Sequence, residues 1–347
     1  MSGARQIPAA PLVLILLGLA ACQSPVSNPR TVSSSGSGLP FGSGHTVYAA
    51  DAAGSGVLVY ANGAKNWTEL DWSSLYAGDY SAGRSLAFPP VNDVAVSGST
   101  VYAATEDGLI VGSGTNWTKY LPGTQVYGVT LDTPHGNLYV ASQSGLYYSP
   151  LSSFSLSSAY AVDSNSDKTV LQIAIAGSAA FAATPYGIYK SAVSPYTSYS
   201  SPTSSSYTPY AGAVNTVAGS GSTLYAGMAS GLAVSGDSGA TWSNLTTTNG
   251  LGGAVNGILI GGSQVYLGTA GGFSYGTGSS WSNVVFGTPV YNVVQGLTAS
   301  TLYVAAGYSG LMVIPLDSGG NPEDTSDWSE VFSGEGLNVV KVFVTVP

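Results

Sequence analysis

Thr100-Val101-Tyr102-Ala103-Ala104, with Gly108-Leu109 a turn later, is one of seven copies of a single phrase. The other copies begin at Thr46, Asn137, Ala180, Thr223, Gln264 and Thr301. Their aromatics are Tyr48, Tyr102, Tyr139, Phe181, Tyr225, Tyr266 and Tyr303, at intervals of 54, 37, 42, 44, 41 and 37 residues. A Gly-apolar pair follows each one: Gly56-Val57, Gly108-Leu109, Gly145-Leu146, Gly187-Ile188, Gly231-Leu232, Gly272-Phe273 and Gly310-Leu311. Recurrence at about 40 residues marks stacked or radial repeat units.

Working outward from the phrase gives the rest of the unit. Upstream lies a second apolar strand, Val91-Asn92-Asp93-Val94-Ala95-Val96, with counterparts beginning at Val126, Val170, Val214, Val255 and Tyr291. Downstream, several units end in a strand carrying Trp67, Trp117, Trp242, Trp281 or Trp328. Each unit therefore offers four short strands, A to D, rich in Val, Tyr, Thr and Ile and separated by Gly-Ser turns. No stretch after residue 30 carries a sustained 3.6-residue apolar period with caps, so helix is excluded as the main element. Four-stranded sheets at this period predict an all-β, seven-bladed β-propeller.

The ends of the repeat point to how the ring closes. The first unit lacks a strand A and starts at Gly44-His45, directly before strand B. Leu337 to Val344 repeats the strand-A pattern with nothing after it. An open edge strand invites aggregation. Pairing the C-terminal strand with the first blade closes the ring and covers that edge. Residues 44–347 form the expected propeller, at about 43 residues per blade.

Composition narrows the function. The chain is 44% hydrophobic but only 7% charged, against roughly 25% charged in typical soluble domains. Its net charge of -9 and scattered Lys and Arg argue against nucleic acid, which needs clustered cations. At the N-terminus, Arg5 precedes a compact apolar run from Leu12 to Ala20, too short to span a bilayer as a stable helix. The run ends in Leu19-Ala20-Ala21-Cys22, which resembles the bacterial lipoprotein signal. That resemblance implies removal of residues 1–21, lipidation of Cys22 and attachment to a membrane of the cell envelope. Gln23 after the cysteine implies the outer membrane if the cell is Gram-negative. Residues 22–43, rich in Ser, Pro and Gly, then read as a flexible tether. Cys22 is the sole cysteine, so no intramolecular disulfide can form.

Ser235-Gly236-Asp237-Ser238-Gly239-Ala240-Thr241-Trp242 has the form S-x-D-x-G-x-x-W. It resembles the Asp-box of BNR-like propellers, a superfamily that includes sialidase-like and photosystem assembly-factor-like proteins. The resemblance implies a structural turn between strands C and D, built on Ser235, Asp237, Gly239 and Trp242. It does not imply a sialidase. That activity needs three arginines on the substrate carboxylate, a bidentate geometry lysine does not reproduce. Beyond Cys22 the chain has only Arg30 and Arg84.

Other chemistry is sparse. His45 and His135 are the only histidines, and His135 sits in a turn-like Asp132-Thr133-Pro134-His135-Gly136. Asp163, Asn165 and Asp167 have the spacing of calcium-loop oxygens, but Lys168 stands where the loop glycine belongs and the distal Glu is missing. Asp317, Glu323, Asp324 and Asp327 lie in a Gly-Pro-rich stretch that reads as a solvated turn. No metal site, catalytic residue or cofactor is expected.

Two insertions carry the recognition chemistry. Between Trp67 and Val91 lie Trp72, Tyr76, Tyr80 and Arg84; between Lys190 and Val214 lie Tyr196, Tyr199, Tyr207 and Tyr210. Long loops on rigid scaffolds often carry function. Tyr and Trp among hydroxyl side chains make an adaptable contact surface. The expectation is a non-catalytic binding or assembly scaffold for a protein partner or a polysaccharide. The alternative is a carbohydrate-active hydrolase or lyase working on the propeller face.

Overall fold

The computed structural model describes residues 31–33, 46–54, 56–61, 66–76, 88–157, 168–192, 213–296, 300–332 and 337–345. Among the described residues, twenty-seven strands form seven small antiparallel sheets. The first blade holds β1 (Thr31–Ser33), β2 (Thr46–Asp51), β3 (Gly56–Ala61) and β4 (Asn66–Glu69). The second holds β5 (Val91–Ser97), β6 (Thr100–Thr105), β7 (Gly108–Ser113) and β8 (Asn116–Tyr120). The third has β9 (Val126–Asp132), β10 (Asn137–Ser142) and β11 (Gly145–Pro150), and the fourth β12 (Gln172–Ala176), β13 (Ala179–Thr184) and β14 (Gly187–Ala192). The fifth comprises β15 (Val214–Ser220), β16 (Thr223–Met228), β17 (Gly231–Ser235) and β18 (Ser243–Leu245). The sixth comprises β19 (Val255–Gly261), β20 (Gln264–Thr269), β21 (Gly272–Thr277) and β22 (Ser280–Val285). The seventh has β23 (Asn292–Gln295), β24 (Thr301–Ala305), β25 (Leu311–Pro315) and β26 (Ser329–Phe332). The last strand, β27 (Val339–Thr345), returns to the first blade and pairs antiparallel with β2, Thr46 opposite Thr345 and Tyr48 opposite Phe343.

The innermost strands touch in the order β27, β5, β9, β12, β15, β19, β23 and back to β27. The fold is therefore a closed seven-bladed β-propeller, with its first blade completed by the C-terminal strand. Helix is limited to four single 3-10 turns among the described residues, and none is long and apolar enough to cross a membrane.

The core lies between blades. Seven apolar clusters each join two neighbouring sheets. Strand β6 shows how one strand serves two of them. Val101 and Ala103 pack toward the first blade, whereas Tyr102 and Ala104 pack toward the third. Side chains alternate across a strand, so a strand clamped on both faces must be apolar at every position. This is why the repeated phrase reads as an unbroken apolar run. The following glycine has a backbone reason: all seven, from Gly56 to Gly310, have positive φ between 79° and 140°, a region side-chain-bearing residues avoid. In the second, fifth and sixth blades a Cβ there would also collide with the backbone of strand D, at Tyr120, Leu245 and Val284.

The third and fourth sheets have three strands among the described residues, and residues 158–167 and 193–212, which follow them, lie outside those residues. These are the two units without a strand-D tryptophan, so among the described residues the indole accompanies the outer strand. Two expectations need correction. Not all of 22–43 is tether, because β1 pairs with β4, Thr31 opposite Thr68 and Ser33 opposite Asn66, as an outermost fifth strand. The strand-A register also shifts in two units. Val170 and Tyr291 precede their strands, which begin at Gln172 and Asn292.

Candidate functional site on the ring

Aligned by their pairing with the second strand of each blade, the inner strands place one residue per blade at the same level: Asp93, Gly128, Gln172, Thr216, Gly257, Asn292 and Lys341. Three of these side chains accept a backbone N–H from the next blade. Asp93 Oδ2 accepts from Val129 (3.1 Å), Gln172 Oε1 from Val217 (3.0 Å) and Asn292 Oδ1 from Val342 (3.1 Å). Gln172 Oε1 also accepts from the Thr216 hydroxyl at 2.5 Å. The preceding position, bulged in several strands, laces the blades the other way. Asn92, Asn215 and Asn256 donate to the carbonyls of Val126, Val255 and Val290, at 2.8, 3.4 and 3.2 Å. These three asparagines thus hold blade to blade. Asn292 and Asn338 are not in that register; Asn338 instead donates its N–H to buried Asp51 Oδ1 at 2.6 Å.

Charge enters this inner ring at one place. Lys341 Nζ lies 3.4 Å from Asp93 Oδ1, across the junction between β27 and β5. Asp93 is only 4% exposed. Burial raises its carboxyl pKa above the ordinary value, and Lys341 and the N–H groups of Val129 and Val94 oppose that rise.

The first insertion supplies a further correction. Trp72 is 0% exposed and Tyr76 8%, so neither presents a contact surface. Trp72 meets Trp117 and Phe88 edge-on at 5.5 and 5.6 Å, within the cluster joining the first two blades. Lys119 Nζ sits 4.5 Å over the Tyr76 ring and 2.7 Å from Asp107 Oδ2. An apolar face long enough to bridge two sheets outweighs the exposure that a loop position suggests. Tyr80, Arg84, Tyr196, Tyr199, Tyr207 and Tyr210 lie outside the described residues, as do Cys22, Gln23, Asp163, Asn165 and Asp167.

The ends of the second insertion are described. By the antiparallel order of the blade, β14 ends at Ala192 on the lower face, where A–B and C–D turns lie, and β15 starts from the upper face. Beside the lower end of β14 is a cleft of about 470 Å³ between the fourth and fifth blades. Ser178, Lys190, Ser191, Ser222 and Ser238 supply its polar lining, and Phe181 closes it inward. Lys190 Nζ donates to the Ser238 carbonyl at 3.2 Å and lies 5.6 Å from the centre of the Phe181 ring. On the upper face, Tyr186 and Tyr308 stand out from B–C turns, 45% and 63% exposed.

The turn holding Ser238 is self-bonded. Asp237 Oδ1 accepts from Thr241 N–H (2.8 Å) and the Ser235 hydroxyl (2.8 Å), and Oδ2 from the Thr241 hydroxyl (2.6 Å). The Thr241 hydroxyl and N–H, followed by the Ser235 hydroxyl, hold the Asp237 carboxyl down at about 2. Gly239 N–H donates to Ser235 Oγ at 2.9 Å. The Trp242 indole donates to the Gly239 carbonyl three residues back, and Trp117 and Trp281 do the same to Gly114 and Gly278. Asp317 likewise closes its own turn, accepting from the N–H groups of Gly319 and Asn321, both at 2.8 Å. His135 Nδ1 is 2.8 Å from Asp132 Oδ1, at the edge of the third blade. Among the described residues no three His, Cys, Asp or Glu side chains gather as a metal site.

Some positions escaped the sequence reading although their signal was present. Thr105, Ser142, Thr184 and Thr269 each stand three residues before the repeated glycine. Their buried hydroxyls donate to that glycine's carbonyl at 2.8 to 3.0 Å. The Asp93–Lys341 pair had no such signal, since its partners come from opposite ends of the chain.

No protein-family model matches the chain, and no curated protein matches it in sequence. Solved structures do resemble it. The extracellular domain of the "putative hybrid two component system BT3049 from B. thetaiotaomicron" aligns at 19% identity over 73% of this chain, with a TM-score of 0.58. The extracellular domain of the "putative one component system BT4673" of the same organism aligns at 12% identity over 84% of this chain, with a TM-score of 0.54. The computationally designed Ika8 protein aligns at 11% identity, with a TM-score of 0.50, over 67% of this chain and 72% of its own. The chain spans 37% and 40% of the two bacterial domains. At these identities the likeness is one of fold.

Proposed function

We propose that this protein is a lipid-anchored, extracytoplasmic propeller that acts as a non-catalytic binding or assembly scaffold for a protein partner or a polysaccharide. The observation carrying this reading is the state of the inner ring. Its carboxylate, amide and ammonium groups bond to the neighbouring blade, so the channel wall holds the ring together and is not free for acid–base work. Recognition then falls to the periphery: the cleft at Lys190, Tyr80 and Arg84 of the first insertion, and Tyr196, Tyr199, Tyr207 and Tyr210 of the second. The signal ending in Cys22 supports the anchor, and the turn from Ser235 to Trp242 supports kinship with Asp-box propellers. The likeness to extracellular domains agrees with a place in the cell envelope.

The test is a pull-down from solubilised envelope with the tagged, lipidated protein, run beside a polysaccharide-binding array. A partner or glycan retained by the parent should be lost when residues 193–212 are replaced by a Gly-Ser linker of about eight residues, enough at ~3.3 Å each to pass from one face to the other. Lys190→Ala should weaken it. Retention unchanged in both variants would remove the site from this region.

A further inference from the structure

We infer that β1 fixes which side of the ring faces the membrane: the first blade is proximal, and the cleft between the fourth and fifth blades is distal. The inference rests on the proposed lipid anchor at Cys22. Thr31–Ser33 pairs with β4 on the outer edge of the first blade. Nine residue steps separate Cys22 from Thr31. Fully extended they reach ~32 Å, and as a flexible chain they average about 15–18 Å. Were the ring attached at Thr46 instead, 24 steps would reach ~80 Å and the ring could turn freely.

The ring is wider than the shorter tether. Strands lie about 4.8 Å apart, so a four-stranded blade is ~15 Å deep, and two opposed blades with the channel between them span upward of ~40 Å. The attachment is on the rim of one blade. In a seven-membered ring the fourth and fifth blades lie opposite the first, so the cleft at Lys190 is carried to the far side. Lying flat would bring a whole face to the lipid. The net charge of -9 opposes that on an anionic bilayer, and the ring stands on its first-blade rim.

Two matched labels test this. Thr68→Cys and Asn244→Cys place a fluorophore on exposed sites of β4 and β18, the fourth strands of the first and fifth blades; with Cys22 acylated, each variant has one free thiol. The lipidated proteins are reconstituted in phosphatidylglycerol–phosphatidylcholine vesicles with spin-labelled headgroups. Quenching at residue 68 should exceed that at residue 244 several-fold. Thr31→Pro with Val32→Pro, which removes β1 from the ladder, should shrink the difference while leaving the melting of the ring unchanged. Equal quenching at both sites in an acylated protein, or a difference indifferent to the prolines, would overturn the inference alone. A free, unacylated Cys22 by mass spectrometry would overturn the anchor and the inference together.

Discussion

The junction closing the ring and the junction between the fourth and fifth blades solve the same problem differently. At the latter, neutral groups suffice: Gln172 accepts from the Thr216 hydroxyl and from Val217 N–H. The closing segment is held by two carboxylates: Asp51 of β2 accepts the N–H of Asn338, just before β27, and Asp93 of β5 pairs with Lys341 within it. Consecutive blades are delivered to each other by the chain, so their register needs little chemical identification. β27 must find a slot made 287 residues earlier. A buried charge with one matching partner in the ring penalises every wrong register, which is the best-attested use of such pairs.

Removing the latch should have the largest effect. Truncation after residue 336 deletes Leu337, Val339 and Val342 from the cluster joining the seventh and first blades and bares β2. A loss on the order of 5 kcal/mol or more should appear in thermal melts as a broad, early transition; a truncated protein as stable as the parent would refute the closure. Next comes Lys341→Met, which leaves the Asp93 carboxylate buried without its ammonium. Allowing for the partial exposure of Lys341, it should cost about 2–3 kcal/mol in denaturant titrations, and Asp93→Asn in the same chain should restore part of it.

The charged junction should also respond to pH where the neutral one does not. The pKa of Asp93 is raised above 3.8 by burial, so the folded protein binds that proton more tightly than the unfolded chain. Its ionised form costs stability at pH above the raised pKa, and the cost is relieved as pH falls through it. Compared with Asp93→Asn, the parent should gain melting temperature between neutral pH and about pH 4. A parent and variant with parallel profiles would show that Asp93 titrates normally.

Gln172→Ala, at the neutral junction, should cost less, about 1–2 kcal/mol for the two hydrogen bonds lost, with no change in pH profile. The smallest effect belongs to Asp237→Ala, in the exposed turn between β17 and β18. It should loosen the turn, visible as faster amide exchange at Thr241, with little shift in melting temperature.

The same contrast marks what could be read before the structure. The seven aromatic-Gly phrases announce strands, blades and their number, because a strand clamped on two faces leaves a dense local signature. The tryptophans even mark which blades carry a described outer strand. Contacts between distant segments leave no such trace: the pairing of Asp93 with Lys341 and of β1 with β4 depends on which ends meet in space. Trp72 misled for a related reason. Its position between Trp67 and Val91 gives a loop, and only the placement of Trp117 and Phe88 around it turns the loop into core. Lys190 reads as an ordinary strand residue until the Ser238 carbonyl of the next blade is found beside it.

The composite first blade also has a consequence for biosynthesis. β2 lies near the start of the described strands, and β27, its ladder partner, is the last of them. Each blade after the first is drawn from one continuous stretch of chain, but the circle stays incomplete until Val339–Thr345 has docked. A chain interrupted anywhere before that point keeps β2 as a bare, apolar edge, the kind of surface chaperones and proteases act on. Circular closure thereby makes the cover of one strand depend on a segment 299 residues further along the chain.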